Sequence, residues 1–477
     1  MSVATALSAA TAPEVPDAQL LARCAARRAQ LARRIADAGG GVALLPTALE
    51  RLRNRDAEYP YRHDSYFYYL SAFTEPQALL ALEVEPDGSV RSTLFCRPRD
   101  AEREIWDGVR FGPDAAREVF GFDAAAPIEQ LDTLLPRMLL DRTALWWPFG
   151  VHEDLAARVQ AWMAAGRAQA RAGHHAPVAQ YDLCSVLDEM RLFKDDYELQ
   201  VLRRAAAISS DAHRRAMQAA GGGAPDELRE YHLEAELLHA FRRQGAQAPA
   251  YGSIVAAGAN ACILHYRAGN AVLRRGSLCL IDAGCELDGY ASDITRTFPV
   301  GGRFSGAQRE LYEIVLQAQH EAIAAARAGA RFTHPHDAAL RVLAQGLLDT
   351  GLIARDVAPD VDAVLESGAY RRFYMHRTSH WMGMDVHDCG EYGEPGEPAR
   401  RLPDGTRQPA ARILRPGMVL TIEPGLYVRA AADLPAAFHD IGIRIEDDVV
   451  VRAQGDCEVL TQQAPKSVAA IEELMHA

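Results

Sequence analysis

Four carboxylates stand in runs of this sequence that otherwise read as apolar strands. Asp282 and Asp293 lie in SLCLIDAGCELDGYASDITRTF (277–298), Glu423 closes GMVLTIEPG (417–425), and Glu446 lies in IGIRIEDDVVV (441–451). An isolated acid is usually an ordinary turn or loop carboxylate, but an unpaired one among buried apolar residues costs several kcal/mol. Two such acids in one pair of runs therefore call for a cation between them. The segment MHRTSHWMGMDVHD (375–388) adds His376, His380 and His387. One imidazole with four carboxylates is a hard, oxygen-rich ligand set suited to Mn, Mg, Co or Zn rather than to copper or iron–sulfur clusters. Four negative charges match two divalent cations, and bridging carboxylates can hold such ions about 3.5–4 Å apart with a hydroxide between them. The chemistry implied is hydrolysis.

The elements that must position these groups can be read from the same segments. Asp288–Gly289 joins two β-rich runs, 278–287 and 290–300, and favours a type I′ hairpin turn. That turn sets position 282 opposite 295, so Asp282 and Asp293 become diagonal neighbours on one face, roughly 7–8 Å apart at Cα. Alternation along 441–451, read as one strand, places Arg444 and Glu446 on one face and isoleucines on the other. A plain Arg–Glu pair on an exposed face is the alternative there. Pro424 ends the strand 418–422 just after Glu423.

Upstream, 19–38 has helical periodicity and stops at Gly39–Gly41, and 42–45, 78–84 and 92–96 read as strands with helices between them, an α/β N-terminal domain. Helices are expected over 197–220 and 227–244, with a turn at 221–225 and a possible Ser185 cap opening 185–200. We expect a tail over 1–18, an N-terminal domain over 19–182 and a catalytic domain over 183–477, with a surface insertion at 393–412. A length of 477 residues favours two or more domains.

Hydrophobic residues make up 49% and charged residues 24%, the range of packed globular chains. A net charge of −13 argues against nucleic acid as partner. The 8 cysteines show no CxxC or zinc spacing and read as reduced core residues. The first residues lack an apolar signal-peptide core, and no run of about 18 apolar residues could span a membrane. A cytoplasmic location with no membrane partner follows as the expectation.

Beyond these local readings, the sequence resembles the aminopeptidase P and prolidase group of the "pita-bread" metallopeptidases. The motifs are ILHYR around His265, LIDAGCELDGYASDITRTFPV, the HxxxH…H segment, TIEPGLY and GIRIEDD. RNRDAEYPYRHDSYFYYLSAFTEP (53–76) and REIWDGVRFG (103–112) resemble the aminopeptidase P N-terminal domain. The resemblance implies an α/β N-terminal domain followed by an α+β pita-bread (creatinase/aminopeptidase-like) catalytic domain. It implies release of the N-terminal residue from peptides with proline second, by a hydroxide bridging two divalent ions. Manganese is the expected metal, with cobalt or zinc as alternatives.

The implied metal ligands are Asp282, Asp293, His380, Glu423 and Glu446, with Asp293 and Glu446 bridging and Glu423 taking the proton. His265 and His387 would bind the scissile carbonyl and the tetrahedral intermediate, and His376 would line the proline pocket. Arg444, Tyr427 and Asp56 would form a relay beside the site. Trp106 would complete the pocket from a neighbouring subunit, implying a homotetramer or, failing that, a homodimer. A core position for Trp106 is the competing reading, since Ile105 beside it looks buried. Arg377 stands where many relatives have a small residue. Prolidase activity on dipeptides is the alternative function, and an inactive peptide-binding domain a remote one, disfavoured because all five ligand positions are filled.

Overall fold

A computed structural model describes residues 13–221, 227–401 and 405–476. The tail expected over 1–18 lies mostly outside these residues, as do most of the turn at 221–225 and the middle of the 393–412 insertion. Within the described part, the chain is already helical at Ala18, with Asp17 accepting from the amides of Gln19 and Leu20, so any tail ends before that cap. The described residues divide into two compact units, with the division in the chain between Met190 and Arg191.

The first unit is built on six strands: β1 (Gly41–Pro46), β2 (Leu79–Val84), β3 (Val90–Cys96), β4 (Ala124–Pro127), β5 (Ala144–Trp147) and β6 (Ala179–Asp182). They form a mixed sheet in the order β4-β3-β2-β1-β5-β6. The central strand β1 is buried along nearly its whole length, as its unbroken apolar run GVALL requires of a strand covered on both faces. Leu44, Leu79, Phe95, Leu145 and Trp147 meet helical residues such as Leu135, Val159 and Trp162 in one core. The helix expected to open at Ser185 instead begins at Cys184, whose amide donates to Asp182 Oδ1. It ends at Leu192, and a second helix, Asp196–Gly221, takes over.

The second unit carries β7 (Ala248–Pro249), β8 (Ile254–Ala257), β9 (Leu278–Asp282), β10 (Cys285–Leu287), β11 (Tyr290–Ala291) and β12 (Thr295–Pro299). After the helices Gly306–Ala325 and His334–Asp349 come an exposed hairpin, β13 (Arg400–Arg401) with β14 (Arg407–Gln408), and then β15 (Val419–Ile422), β16 (Gly425–Val428), β17 (Ile441–Arg444), β18 (Asp447–Val450) and β19 (Glu458–Val459). Asp288 and Gly289 both take positive φ, at 50° and 78°, as a type I′ turn demands, and the register does pair Asp282 with Thr295.

The two long runs expected on either side of that turn are each broken. Strand β9 lies between β12 and β8 in one sheet, whereas β10 lies between β11 and β7 in another. At the break the strands approach so closely that a Cβ on Gly284 would lie 1.7 Å from the Ser292 carbonyl oxygen, which excludes any other residue. The expected single strand over 441–451 is likewise divided at Ile445–Glu446 into β17 and β18. Its partner is divided at Glu423–Pro424 into β15 and β16, because Pro424 has no N–H to give to the ladder.

Candidate metal centre

Each of the four acids stands at one of these breaks. Asp282 ends β9, Asp293 lies between β11 and β12, Glu423 between β15 and β16, and Glu446 between β17 and β18. The pairs flanking the second break, Ile422 with Asp447 and Gly425 with Arg444, set Glu423 directly opposite Glu446. Two like charges facing each other across strands are destabilising. The two hairpins are tied to one another at the same level. Thr295 Oγ1 donates to Glu446 Oε2 at 2.6 Å, the Glu446 amide donates to the Thr295 carbonyl at 3.0 Å, and the Asp293 amide donates to Asp448 Oδ2 at 3.0 Å.

His380 joins them from the irregular segment between a 3₁₀ turn at Ala369–Arg372 and β13. Its Nε2 is 3.4 Å from Asp293 Oδ2 and 3.8 Å from Glu423 Oε1, and atoms of Asp293, His380 and Glu446 lie within 4.8 Å of one another. Its Nδ1 bonds to the Trp381 carbonyl at 2.9 Å, which fixes the tautomer and leaves Nε2 free for a cation. His387 stands edge-on to His380 with ring centroids 4.2 Å apart. Together with Leu264, His265, His376, Arg377, Ser379 and Arg444, the acids and His380 line a cavity of about 230 Å³. A larger cavity of about 730 Å³ opens in the N-terminal unit around Thr47, Tyr61 and His152. Among its lining residues Glu153 pairs with Arg51, and Asp64 lies 3.9 Å from His152.

The donor set fits divalent cations on its own electrostatics. Burial, and then the neighbouring carboxylates, push the Glu446 carboxyl well above its ordinary range, and Asp293 moves in the same direction for the same two reasons. Burial also drives Glu423 up to about 7, helped by Asp293 and Asp282 and opposed by His380 and Arg444. Burial alone would lower His380, but Asp293 and Glu423 hold it up at about 9. The protein's own cations thus fall short of neutralising the cluster, and bound divalent ions would supply the missing charge.

Arg444 is buried and donates to Asp282 Oδ2 at 2.5 Å, so the exposed Arg–Glu pair that 441–451 allowed does not form. Its Nη1 reaches the Tyr427 hydroxyl at 3.0 Å, which in turn lies 2.8 Å from His376 Nε2. Because His376 Nδ1 faces the Arg377 carbonyl at 2.7 Å, its N–H points there and Nε2 accepts from Tyr427. Burial, then Arg444, lowers His376 to about 3, which keeps this ring neutral.

Three groups in direct contact with the acids escaped the sequence reading. The Tyr251 hydroxyl lies 2.6 Å from Asp282 Oδ1 and 2.5 Å from Asp293 Oδ1, joining the two acids through one group. Thr295 and Asp448 hold Glu446 and Asp293 as described. Asp448 was visible as part of an EDD run, but a lone Tyr or Thr carries no signal of its own. Asp56 and Trp106 belong to the N-terminal unit, and both are exposed. Ile105 is 80% exposed and Trp106 84%, so the reading of Trp106 as a core residue is overturned.

Comparison with known proteins is consistent along the chain. Residues 200–453 match the model for metallopeptidase family M24, and residues 24–146 match that for the aminopeptidase P N-terminal domain. The Xaa-Pro aminopeptidase of Escherichia coli strain K12 is 42% identical over 436 residues, spanning 91% of this chain and 94% of that protein. The solved aminopeptidase PepP of Pseudomonas aeruginosa is 45% identical, with a TM-score of 0.88 over 96% of this chain and 98% of that one. A glutamate-to-alanine variant of Escherichia coli aminopeptidase P in complex with substrate is 40% identical, with the same TM-score over 96% of this chain and 98% of that one.

Proposed function

This chain belongs to metallopeptidase family M24, with an aminopeptidase P N-terminal domain ahead of a pita-bread catalytic domain, and on that premise we propose that it is a metal-dependent Xaa-Pro aminopeptidase. It releases the N-terminal residue from peptides whose second residue is proline. The observation that carries this reading is the convergence of four acids and His380 at the breaks of two hairpins, in a chain covered almost end to end by aminopeptidases. The domain limits proposed are 19–182 and 183–477, a boundary eight residues before the division between Met190 and Arg191.

Asp282, Asp293, His380, Glu423 and Glu446 would hold two divalent ions, manganese first, with Asp293 and Glu446 shared between them. When bound, such ions supply Lewis acidity, which polarises the scissile carbonyl and makes water a nucleophile at neutral pH. Glu423, at the end of β15, accepts the proton of the attacking water on a carboxylate oxygen. His265 and His387 donate to the carbonyl oxygen as it gains charge. The chain Arg444–Tyr427–His376 holds Asp282 in place and borders the pocket for the proline ring. We assign Asp56 to the same relay and Trp106 of a second subunit to the proline pocket, in a homotetramer or homodimer.

The location proposed is the cytoplasm. Its support is that all 8 cysteines are free, 7 of them buried, and that no described helix is long and apolar enough to cross a membrane.

The deciding assay compares Xaa-Pro-Xaa with Xaa-Ala-Xaa peptides on metal-free and manganese-loaded protein. Selective, metal-dependent cleavage of the first is expected, and equal cleavage of both would overturn the assignment. Cleavage of Xaa-Pro dipeptides in preference to tripeptides would favour prolidase activity instead.

His387→Ala is expected to keep both ions and lose about 10²–10³-fold in kcat, the scale of one oxyanion donor. Burial, then His380 and His265, lower the His387 pKa, so the ring is a neutral donor rather than a competing cation. Loss of metal with normal turnover per bound ion would make His387 a ligand.

Trp106→Ala removes a side chain with 84% exposure, so the roughly 3–5 kcal/mol cost of truncating a core aromatic does not apply. The melting temperature of the subunit should hold while KM for Xaa-Pro-Xaa rises. A large fall in Tm with unchanged KM would refute the pocket role.

A further inference from the structure

His265 lines the catalytic cavity, yet its side chain is exposed and makes no hydrogen bond or ion pair among the described residues. Its position is therefore set by the backbone of the segment that carries it, the stretch from Ala257 at the end of β8 to Gly269. This segment has little regular structure, a short 3₁₀ turn at Gly258–Cys262 followed by irregular chain.

Glu230, the first residue of the helix Glu230–Arg243, is fully buried beneath it. Its Oε1 accepts from the Ala257 amide and from Asn260 Nδ2, both at 2.9 Å. Its Oε2 accepts from the Tyr266 hydroxyl at 2.9 Å and the Gly269 amide at 3.1 Å. All four donors belong to the segment, and they include both of its ends and the residue next to His265. No Lys or Arg among the described residues pairs with this carboxylate. A buried charge held by neutral donors alone is costly unless its acceptors are filled, and here every one is filled from a single loop. Gly269 is part of the fit, since a Cβ there would lie 3.0 Å from the Tyr266 hydroxyl and 3.2 Å from Glu230 Oε2.

We infer that Glu230 is a positioning residue for catalysis, a four-point clamp that fixes the loop presenting His265 to the substrate. The inference rests on the role proposed for His265. Glu230→Gln keeps the shape but turns an amide toward two donors. Tyr266 can rotate to accept from it, whereas the Gly269 N–H cannot, and the loop is released at that end.

The test is a double-mutant cycle on the metal-loaded protein, reading kcat and metal content for Glu230→Gln, His265→Ala and the double variant. Glu230→Gln should lower kcat about tenfold, with both ions retained, and should change kcat less than about twofold once His265 is already alanine. Tyr266→Phe, which deletes one donor and leaves the carboxylate, runs the same cycle if Glu230→Gln does not fold. A lowered His265→Ala rate with an equal clamp-variant factor in both backgrounds overturns the inference alone. A His265→Ala protein with wild-type kcat and KM overturns the role of His265 and the clamp with it.

Discussion

Replacing Glu446 or Asp293 by alanine should leave a folded protein whose activity is lower by at least about three orders of magnitude, at or beyond the upper end seen for losing one transition-state stabiliser. It should also hold less than the wild-type complement of metal. Each is proposed to serve both ions, and the neighbouring acids are tied to other partners. Asp447 is bonded to Arg296 at 2.7 Å, and its other oxygen accepts from Gln319 and Lys466, both at 2.6 Å. Asp448 Oδ2 is engaged by the Asp293 amide. Glu446→Gln supplies the control for folding. It is isosteric and removes a buried carboxyl that its neighbours repel, so the metal-free variant should melt no lower than the metal-free parent. Elemental analysis and turnover are the measurements, and wild-type metal stoichiometry with wild-type turnover in either alanine variant would sink the assignment.

Stripping the metal should reverse the pH dependence of stability between about pH 6.5 and 9. In the metal-free protein, Asp293 and Glu423 hold His380 up at about 9, against an unfolded value of about 6.5. The stability it contributes is complete below pH 6.5 and disappears as pH rises through 9, on the order of 3 kcal/mol. Glu446 and Glu423 act in the same direction. Their folded values are raised, so the unfolded chain ionises first and stability drains away as pH climbs. Below pH 6.5 the trend is opposed by His213, which burial lowers to about 4, and by His376 at about 3. These rings add stability above pH 6.5 that is lost on acidification. Loaded protein should behave in the opposite way, because ligands must lose protons to bind metal. Thermal scans should show the metal-free Tm falling by roughly 5–10 °C from pH 6.5 to 9 while the loaded Tm holds or rises. Parallel curves for the two forms would argue against a cation site built from these acids.

Several features were legible in the sequence because they depend on near neighbours. The Asp288–Gly289 turn set the register that pairs Asp282 with Thr295, and the apolar runs marked β1, β2 and β3 to within about two residues at each end. The helix entering Gly39 was read from periodicity and the glycines that stop it. Ile105 and Trp106 failed the same logic. An apolar residue next to an aromatic one looks buried in sequence, but their four-residue helix buries none of its residues.

By itself, then, the sequence determined the donor types, their order along the chain and the family motifs that hold them. That is because side-chain chemistry and residues within a turn of one another are local properties. Only the tertiary structure decided that both hairpins break at the level of their acids, that Glu423 faces Glu446, and that Arg444 serves Asp282 rather than a surface partner. Alternation along a strand reports which face a residue occupies, not where the strand is cut. The cuts depend on which neighbours the segments pair with, β8 or β7 in the first hairpin, and on a close approach at Gly284 that no period encodes. The Tyr251 contact to two acids, and the Glu230 clamp on the loop of His265, come from residues tens of positions away in sequence, brought together by packing.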